Sequence, residues 1–303
     1  MRTLVISERE PTMIAWIKRQ LKRSQRLVAL KRKFVFATNQ IFHSRDIRII
    51  QALPAFAPNS AGAYRERARL TLLSARQTFP FLAQLISDRG RPRELLSVDT
   101  FANDERARAA ATQIKMVFDK HGSDKSIAHD YHHLYGTILA EPNAPMDILE
   151  IGLGTNNTDV VSNMGDSGIP GASLKAFKEF LPRARIYGAD VDKRILFEED
   201  RIKTFFVDQT DFRSFNNITD TVGHKFDLII DDGLHSPNAN IATLAFALHT
   251  LKQDGWFVVE DICLEALPVW EVVAALLADE YSCWLVSARG GYLFVVRNSS
   301  PGR

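Results

Sequence analysis

Two carboxylates and an imidazole follow directly on an apolar run. In the stretch Phe226 to His235, read FDLIIDDGLH, the segment Phe226-Asp227-Leu228-Ile229-Ile230 ends in Asp231 and Asp232, with Gly233 allowing a tight turn before His235. A second apolar run, Gly255 to Val259 (GWFVV), ends the same way in Glu260 and Asp261. If the two runs are neighbouring strands, Asp232, Glu260 and Asp261 meet at one point. Three hard oxygen ligands with room for water suit Mg²⁺ or a similar cation. Adjacent residues on an extended chain point opposite ways, so Asp231 is expected to support the turn instead of meeting the ion. An imidazole three residues beyond Asp232 is placed to accept a proton, since histidine titrates near ~6.5 when unperturbed.

The elements that position these groups follow from hydrophobic patterning. Runs this apolar and β-branched read as strands buried on both faces, as in a parallel sheet, and open α/β sheets place their ligands at the carboxyl ends of the strands. An earlier strand, Asp147 to Ile151, runs into Gly152-Leu153-Gly154, where glycines let the backbone approach a ligand closely. A third glycine is missing, since Asn157 stands where a dinucleotide fingerprint has one, and the polar loop Thr155 to Gly171 delays the next helix to about Ser173, an expected N-cap. The next strand, ARIYGAD, ends at Asp190, the expected acceptor for ribose hydroxyls of a nicotinamide cofactor or of S-adenosylmethionine. From Gly152 to Asp190 is 38 residues. A dinucleotide site expects about 20, so an ordinary NAD site fits poorly.

A further strand, Lys203 to Val207, ends in Asp208-Gln209, whose side chains can reach an adenine edge or merely close a surface turn. Beyond it come a helix from about Pro237 to Leu251, a helix from Leu267 to Ala278, and two last strands, Tyr281 to Val286 and Gly291 to Arg297. The link Ala288-Arg289-Gly290-Gly291 makes those two an antiparallel hairpin. A mostly parallel sheet of seven strands closed by a reversed C-terminal hairpin is the doubly wound, Rossmann-like architecture of class I methyltransferases. Upstream, HGSDKSIAHDYHHLYG (residues 121 to 136) is dense in protonatable groups, including Lys125, His129, Tyr131, His132 and His133. It is open to two readings, a shared cation or a polar lid.

The N-terminal part differs in character. Residues 1 to 50 carry 12 Lys/Arg against 3 Asp/Glu, a net +9, so the other 253 residues carry −7 of the chain's total of +2. Residues 12 to 33 read as a basic amphipathic helix, either a solvated helix or a patch for anionic lipid; nucleic acid is the weaker expectation. Residues 63 to 119 read as helical, giving an N-terminal helical auxiliary region over 1–110 and a catalytic domain over 111–303. Two cysteines without a CxxC argue against a disulfide scaffold or a cysteine-ligated zinc. No run reaches the ~18 residues of a membrane span, and no signal peptide is evident, so the cytoplasm is expected, with peripheral membrane contact left open.

The order GSDK, H.Y, ILEIGLG, GASLKAF, ARIYGAD, VDQ, DLIIDDGLH and DGWFVVEDI resembles the metal-dependent sugar O-methyltransferases of macrolide antibiotic biosynthesis over roughly residues 117 to 262. The most specific part is DDG.H followed by VVED 28 residues later. The resemblance implies that Asp232, Glu260 and Asp261 hold Mg²⁺ and that His235 is the general base. It also implies that Gly152 and Gly154 lie against S-adenosylmethionine, that Asp190 holds its ribose, and that Asp208 and Gln209 face its adenine. Lys125, His129 and Tyr131 match a motif that would roof the site. Leu234 replaces the family's usual Ser, and Ala239 stands where a second His is common. The implied activity is methylation of a hydroxyl on a sugar, glycosylated metabolite or other vicinal diol, in natural-product or glycan biosynthesis, by a homo-oligomer. A fold of this kind that binds without catalysing is the alternative.

Overall fold

In a computed structural model of the chain, residues 64–90 and 94–299 are described. The basic stretch 12–33 lies outside them. The chain divides into two compact units, Met1–Thr78 and Phe79–Arg303. The described part of the first belongs to helix α1 (Tyr64–Asp88), which contains Pro80.

The second unit is built on one sheet. Its strands are β1 (Leu95–Ser97), β2 (Asp147–Ile151), β3 (Arg185–Asp190), β4 (Glu198–Glu199), β5 (Ile202–Phe206), β6 (Phe226–Asp231), β7 (Leu251–Ile262), β8 (Ser282–Ala288) and β9 (Gly291–Arg297), in the order β1-β8-β9-β7-β6-β2-β3-β5-β4. The expected seven strands form its body, and the short β1 and β4 extend the two edges. β9 runs antiparallel to both β7 and β8, which makes it the reversed strand of the expected hairpin. One expectation is corrected: Leu95–Ser97, read as helical, pairs parallel with β8. Three residues are too few to show alternation, so only pairing identifies that strand.

The helices are α2 (Glu105–His121), α3 (Asp124–Ile127), α4 (His132–Ile138), α5 (Ala172–Phe180), α6 (Asn216–Val222), α7 (Pro237–Thr250) and α8 (Leu267–Leu277). Alternation along the strands sorts them into two layers. Ile148, Ile186, Leu228, Ile230 and Val258 pack with Ile114 and Phe118 of α2, Leu134 of α4 and Phe177 of α5. Leu149, Ile151, Ile229, Phe257 and Val259 pack with Ile218 of α6, Leu244 and Phe246 of α7 and Trp270 of α8. Phe177 meets Phe118 and Tyr135 edge to face at 5.4 and 5.7 Å, tying α5 to α2 and α4. The start of α5 differs from expectation. Gly171, in the left-handed region at φ 71°, occupies the cap position, and Ser173 lies in the first turn with its hydroxyl turned to Glu150.

At the opposite, amino-terminal ends of the strands, Asp147 accepts bonds from Arg185 Nε (2.6 Å) and Lys252 Nζ (2.9 Å). Lys252 also reaches Asp227 at 2.7 Å, so β2, β3, β6 and β7 are pinned in register far from the ligand end.

His132 at the start of α4 is buried, with Nδ1 lacking a partner and its ring 4.2 Å from that of His133. Burial first, then His133 and Lys115, outweigh Asp130 and Asp119 and push its pKa down to about 4. A histidine depressed in the folded state stabilises the fold fully above its unfolded pKa and loses that contribution as the pH falls from about 6.5 toward 4. Chemical denaturation at pH 7 and at pH 4.5 should differ by about 2 kcal/mol more in the native protein than in His132→Gln, allowing for partial solvation of the ring. Equal pH dependence in the two proteins would remove this role.

Candidate active site

Register brings the acids together. Ile151 of β2 pairs with Asp231 of β6, and Asp231 pairs with Val259 of β7, so Gly152, Asp232 and Glu260 stand level one step beyond. Alternation then separates the two aspartates. Asp231 follows Ile229 onto the α7 face, where it is fully buried and accepts Gln209 Nε2 at 2.8 Å. Burial pushes its pKa up, against bonds from Asn240, Thr243 and Gln209. Its expected structural role is what its surroundings suit. Asp232, Glu150 and Glu260 continue the other face, toward α3, α4 and α5.

Glu260 and Asp261 part company because β7 is irregular there. Its register against β9 shifts between Val259 and Ile262, and Asp261 sits at φ 55°, a left-handed conformation uncommon for a side chain other than glycine. Asp261 faces a cavity of about 780 Å³ together with Asp232 and His235. Ligand atoms of these three residues lie within 4.8 Å of one another. His235 is also left-handed, at φ 52°, so two strained backbone positions frame the same cluster.

Glu260 points elsewhere. It is 1% exposed, accepts Tyr135 Oη on one oxygen and Lys125 Nζ on the other, and is absent from the cavity wall. The expected trio of Asp232, Glu260 and Asp261 is therefore adjacent in space, but the group meeting at the cavity is Asp232, Asp261 and His235. Lys125, expected as part of a roof, is 1% exposed and lies among the acids, 2.7 Å from Asp232 and 3.1 Å from Glu150. Burial alone would lower its pKa. Asp232, Glu260 and Glu150 overcome that and raise it well above the usual lysine range, so it is charged. Tyr131, unlike Lys125, is absent from the cavity lining and donates its hydroxyl to Asp261 Oδ1 at 2.5 Å, with the His129 ring stacked on it at 5.0 Å. Burial, then Asp261, pushes its pKa up, which keeps it a donor.

All five donor-binding candidates, Gly152, Gly154, Asp190, Asp208 and Gln209, line the cavity. Gly152 and Gly154 line the cavity at φ 97° and 73°, and a side chain on Gly152 would clash with the Asp232 carbonyl. Asp190 and Asp208 also line it. Asp190 accepts the amides of Leu153 and Asp192, both at 2.8 Å, and burial raises its pKa. Asp208 Oδ1 accepts from the amide and hydroxyl of Thr210. Gln209, expected to face adenine, spends its amide group within the protein. It donates to Asp231 and Thr243, and its oxygen accepts the Leu234 amide at 2.9 Å.

Two participants escaped the sequence reading. Glu150, fully buried in the middle of β2, holds Lys125 and accepts Ser173 Oγ at 2.5 Å; a charge inside DILEI was the available signal. Asp192 accepts Thr155, Asn157 and Arg194 side chains at 2.7 Å each, and Arg194 first among them pulls its pKa far below the carboxylate range. Arg194 also grips Asp159 at 2.9 Å, fastening the loop after Gly154 over the cavity.

No family model matches the chain. An 8-demethyl-8-alpha-L-rhamnosyl tetracenomycin-C 2'-O-methyltransferase from Streptomyces olivaceus is 29% identical over 153 residues, 50% of this chain and 38% of that protein. A mycinamicin VI 2''-O-methyltransferase from Micromonospora griseorubida is 39% identical over 93 residues, 30% of this chain and 23% of that one. The chain thus spans well under half the length of the curated relatives it matches. Among solved structures, the mycinamycin-pathway methyltransferase MycE, in complex with Mg and SAH, aligns with a TM-score of 0.50 at 20% identity, covering 63% of this chain and 56% of that one. At that identity the likeness concerns the fold, which is that of class I methyltransferases.

If the Gln209 amide is a strut, Gln209→Ala leaves Asp231 and the Leu234 amide unpaired and should lower unfolding free energy by about 1–3 kcal/mol. Urea denaturation measures it, and unchanged stability would return Gln209 to the list of ligand-facing groups.

Proposed function

We propose that the chain is an S-adenosylmethionine-dependent O-methyltransferase that uses Mg²⁺ or a similar divalent cation and acts on a hydroxyl of a sugar or another vicinal diol. The observation that carries the reading is the meeting of Asp232, Asp261 and His235 at the wall of a cavity whose floor is the Gly152–Gly154 turn. The sugar O-methyltransferases among its relatives, and the Mg and SAH of the MycE structure, agree with it.

The donor set fits a hard divalent ion: carboxylate oxygens of Asp232 and Asp261 with a histidine alongside. When bound, the ion supplies Lewis acidity that makes a coordinated hydroxyl easier to ionise, and the donor supplies a methyl on a sulfonium. The chain's own groups do the positioning. Tyr131 holds one oxygen of Asp261, so that carboxylate enters the cavity in a fixed orientation. Gly152 lets the turn pass against the Asp232 carbonyl, and Gly154 leaves room for the Met164 side chain, so the two together shape the donor end of the cavity. His235, exposed at the cavity wall beside both acids, accepts the hydroxyl proton while the oxygen takes the methyl, leaving methyl ether, S-adenosylhomocysteine and a protonated imidazole. Leu234, lining the same wall, contributes no polar contact to the acceptor there.

No helix among the described residues is long and apolar enough to cross a membrane.

With donor, Mg²⁺ and a panel of glycosides, the protein should form S-adenosylhomocysteine, and excess chelator should abolish it. His235→Ala should lower kcat by about 10²–10⁴-fold with calorimetric donor affinity nearly unchanged, and Asp232→Asn should behave similarly. Full turnover in chelator ends the metal part of the proposal. Donor binding with no product on any acceptor would favour the non-catalytic alternative.

A further inference from the structure

We infer that Lys125 is a tethered competitor of the divalent cation, holding Asp232 and Glu260 when the ion is absent and thereby setting how tightly the site binds it. The inference rests on the metal site proposed above and adds a residue that tunes it.

An ammonium has three N–H donors. Lys125 donates to Asp232 after β6 at 2.7 Å and to Glu260 within β7, and it forms an ion pair with Glu150 within β2 at 3.1 Å, so three parallel strands bring carboxylates to it. The lysine is fixed at its base as well. It lies in α3, and its carbonyl accepts the Tyr131 amide at 2.8 Å, which anchors the turn that carries Tyr131 to Asp261. A buried ammonium is tolerated only with such partners.

Counting formal charges, Glu150, Asp232, Glu260 and Asp261 bring −4 and Lys125 returns +1. The same oxygens that would stabilise a dication are thus partly neutralised by a fixed positive charge in contact with one of the ion's own candidate ligands. Glu260 is the clearest case. Both of its oxygens are engaged, by Tyr135 and Lys125, so it can turn to an ion only by giving up one of these donors, and the oxygen held by the ammonium is reached only by displacing it. A lysine that merely braced the fold would not need to touch Asp232, which lines the cavity. Lys125 lines it too.

The test measures Mn²⁺ binding by electron paramagnetic resonance on the full chain, without donor or acceptor. Lys125→Met should bind Mn²⁺ about tenfold or more tightly than the native protein, because a like charge in contact with the site is removed. Glu260→Gln added to Lys125→Met should erase that gain. Lys125→Gln, which keeps a neutral donor toward Glu260, should shift affinity in the same direction by less and stands in should Lys125→Met not fold. Equal or weaker Mn²⁺ binding by the folded Lys125 variants, with native circular dichroism and donor-product affinity, overturns the inference while leaving the metal site standing. Absence of Mn²⁺ binding in both native and variant proteins overturns the metal site itself.

Discussion

Four carboxylates crowd the carboxyl ends of three adjacent strands, and everything around them serves to make that crowding tolerable. Glu150, Asp232, Glu260 and Asp261 come from or follow three neighbouring strands, β2, β6 and β7, three of them on the same face of the sheet. Unpaired, charges at such depth would cost several kcal/mol each. They are instead supplied with donors: Lys125 for Asp232 and Glu260, with Glu150 as its ion-pair neighbour, Tyr135 for Glu260, Tyr131 for Asp261 and Ser173 for Glu150. Three of the four donors come from a single stretch, residues 125 to 135. The histidine- and tyrosine-rich segment that decided nothing as a sequence is, in the fold, the counterpart of the acid cluster.

That pairing explains the shape of the layer covering this face. α2, α3 and α4 form a continuous path whose buried aromatic residues, Phe118 and Tyr135, meet Phe177 of α5. Tyr135 belongs to both systems, its ring in the apolar core and its hydroxyl on Glu260. Packing and charge compensation are therefore not separable here. Moving α4 would expose a hydrophobic ring and strand a carboxylate at once, which gives the site a rigid wall without a disulfide or long loop.

The strands and their acidic ends were legible because a strand buried on both faces writes an unbroken apolar run, and a charge closing it is conspicuous. Alternation also separated Asp231 from Asp232. The division of labour between Glu260 and Asp261 was not legible, because it depends on an irregularity in β7 that no residue type announces; Asp261 adopts a left-handed conformation without being glycine. Lys125 was visible as a charge, but its partners lie up to 135 residues away in sequence. Gln209 had the composition of a nucleobase contact, and only the position of Asp231 and Leu234 shows its amide already engaged. Glu150 was hidden by the apolar run that made its strand easy to find.

The awkward spacing between the glycine turn and Asp190 has a physical cause. The intervening loop, Thr155 to Gly171, is fastened at both ends of the cavity. Thr155 and Asn157 bond Asp192, and Asp159 pairs with Arg194, beside the carboxyl end of β3. Ser162 then donates to the Gly233 carbonyl at 3.0 Å, next to Asp232. Met164 fills the space that the lack of a side chain leaves at Gly154 and Gly168. One loop thus touches the carboxyl end of β3, where Asp190 and Asp192 stand, and the turn that carries Asp232 and His235. A shorter loop could satisfy the glycine turn alone; bridging from β3 to the turn after β6 requires the extra residues. The same length that defeats a dinucleotide fingerprint lets a single segment wall both halves of the cavity.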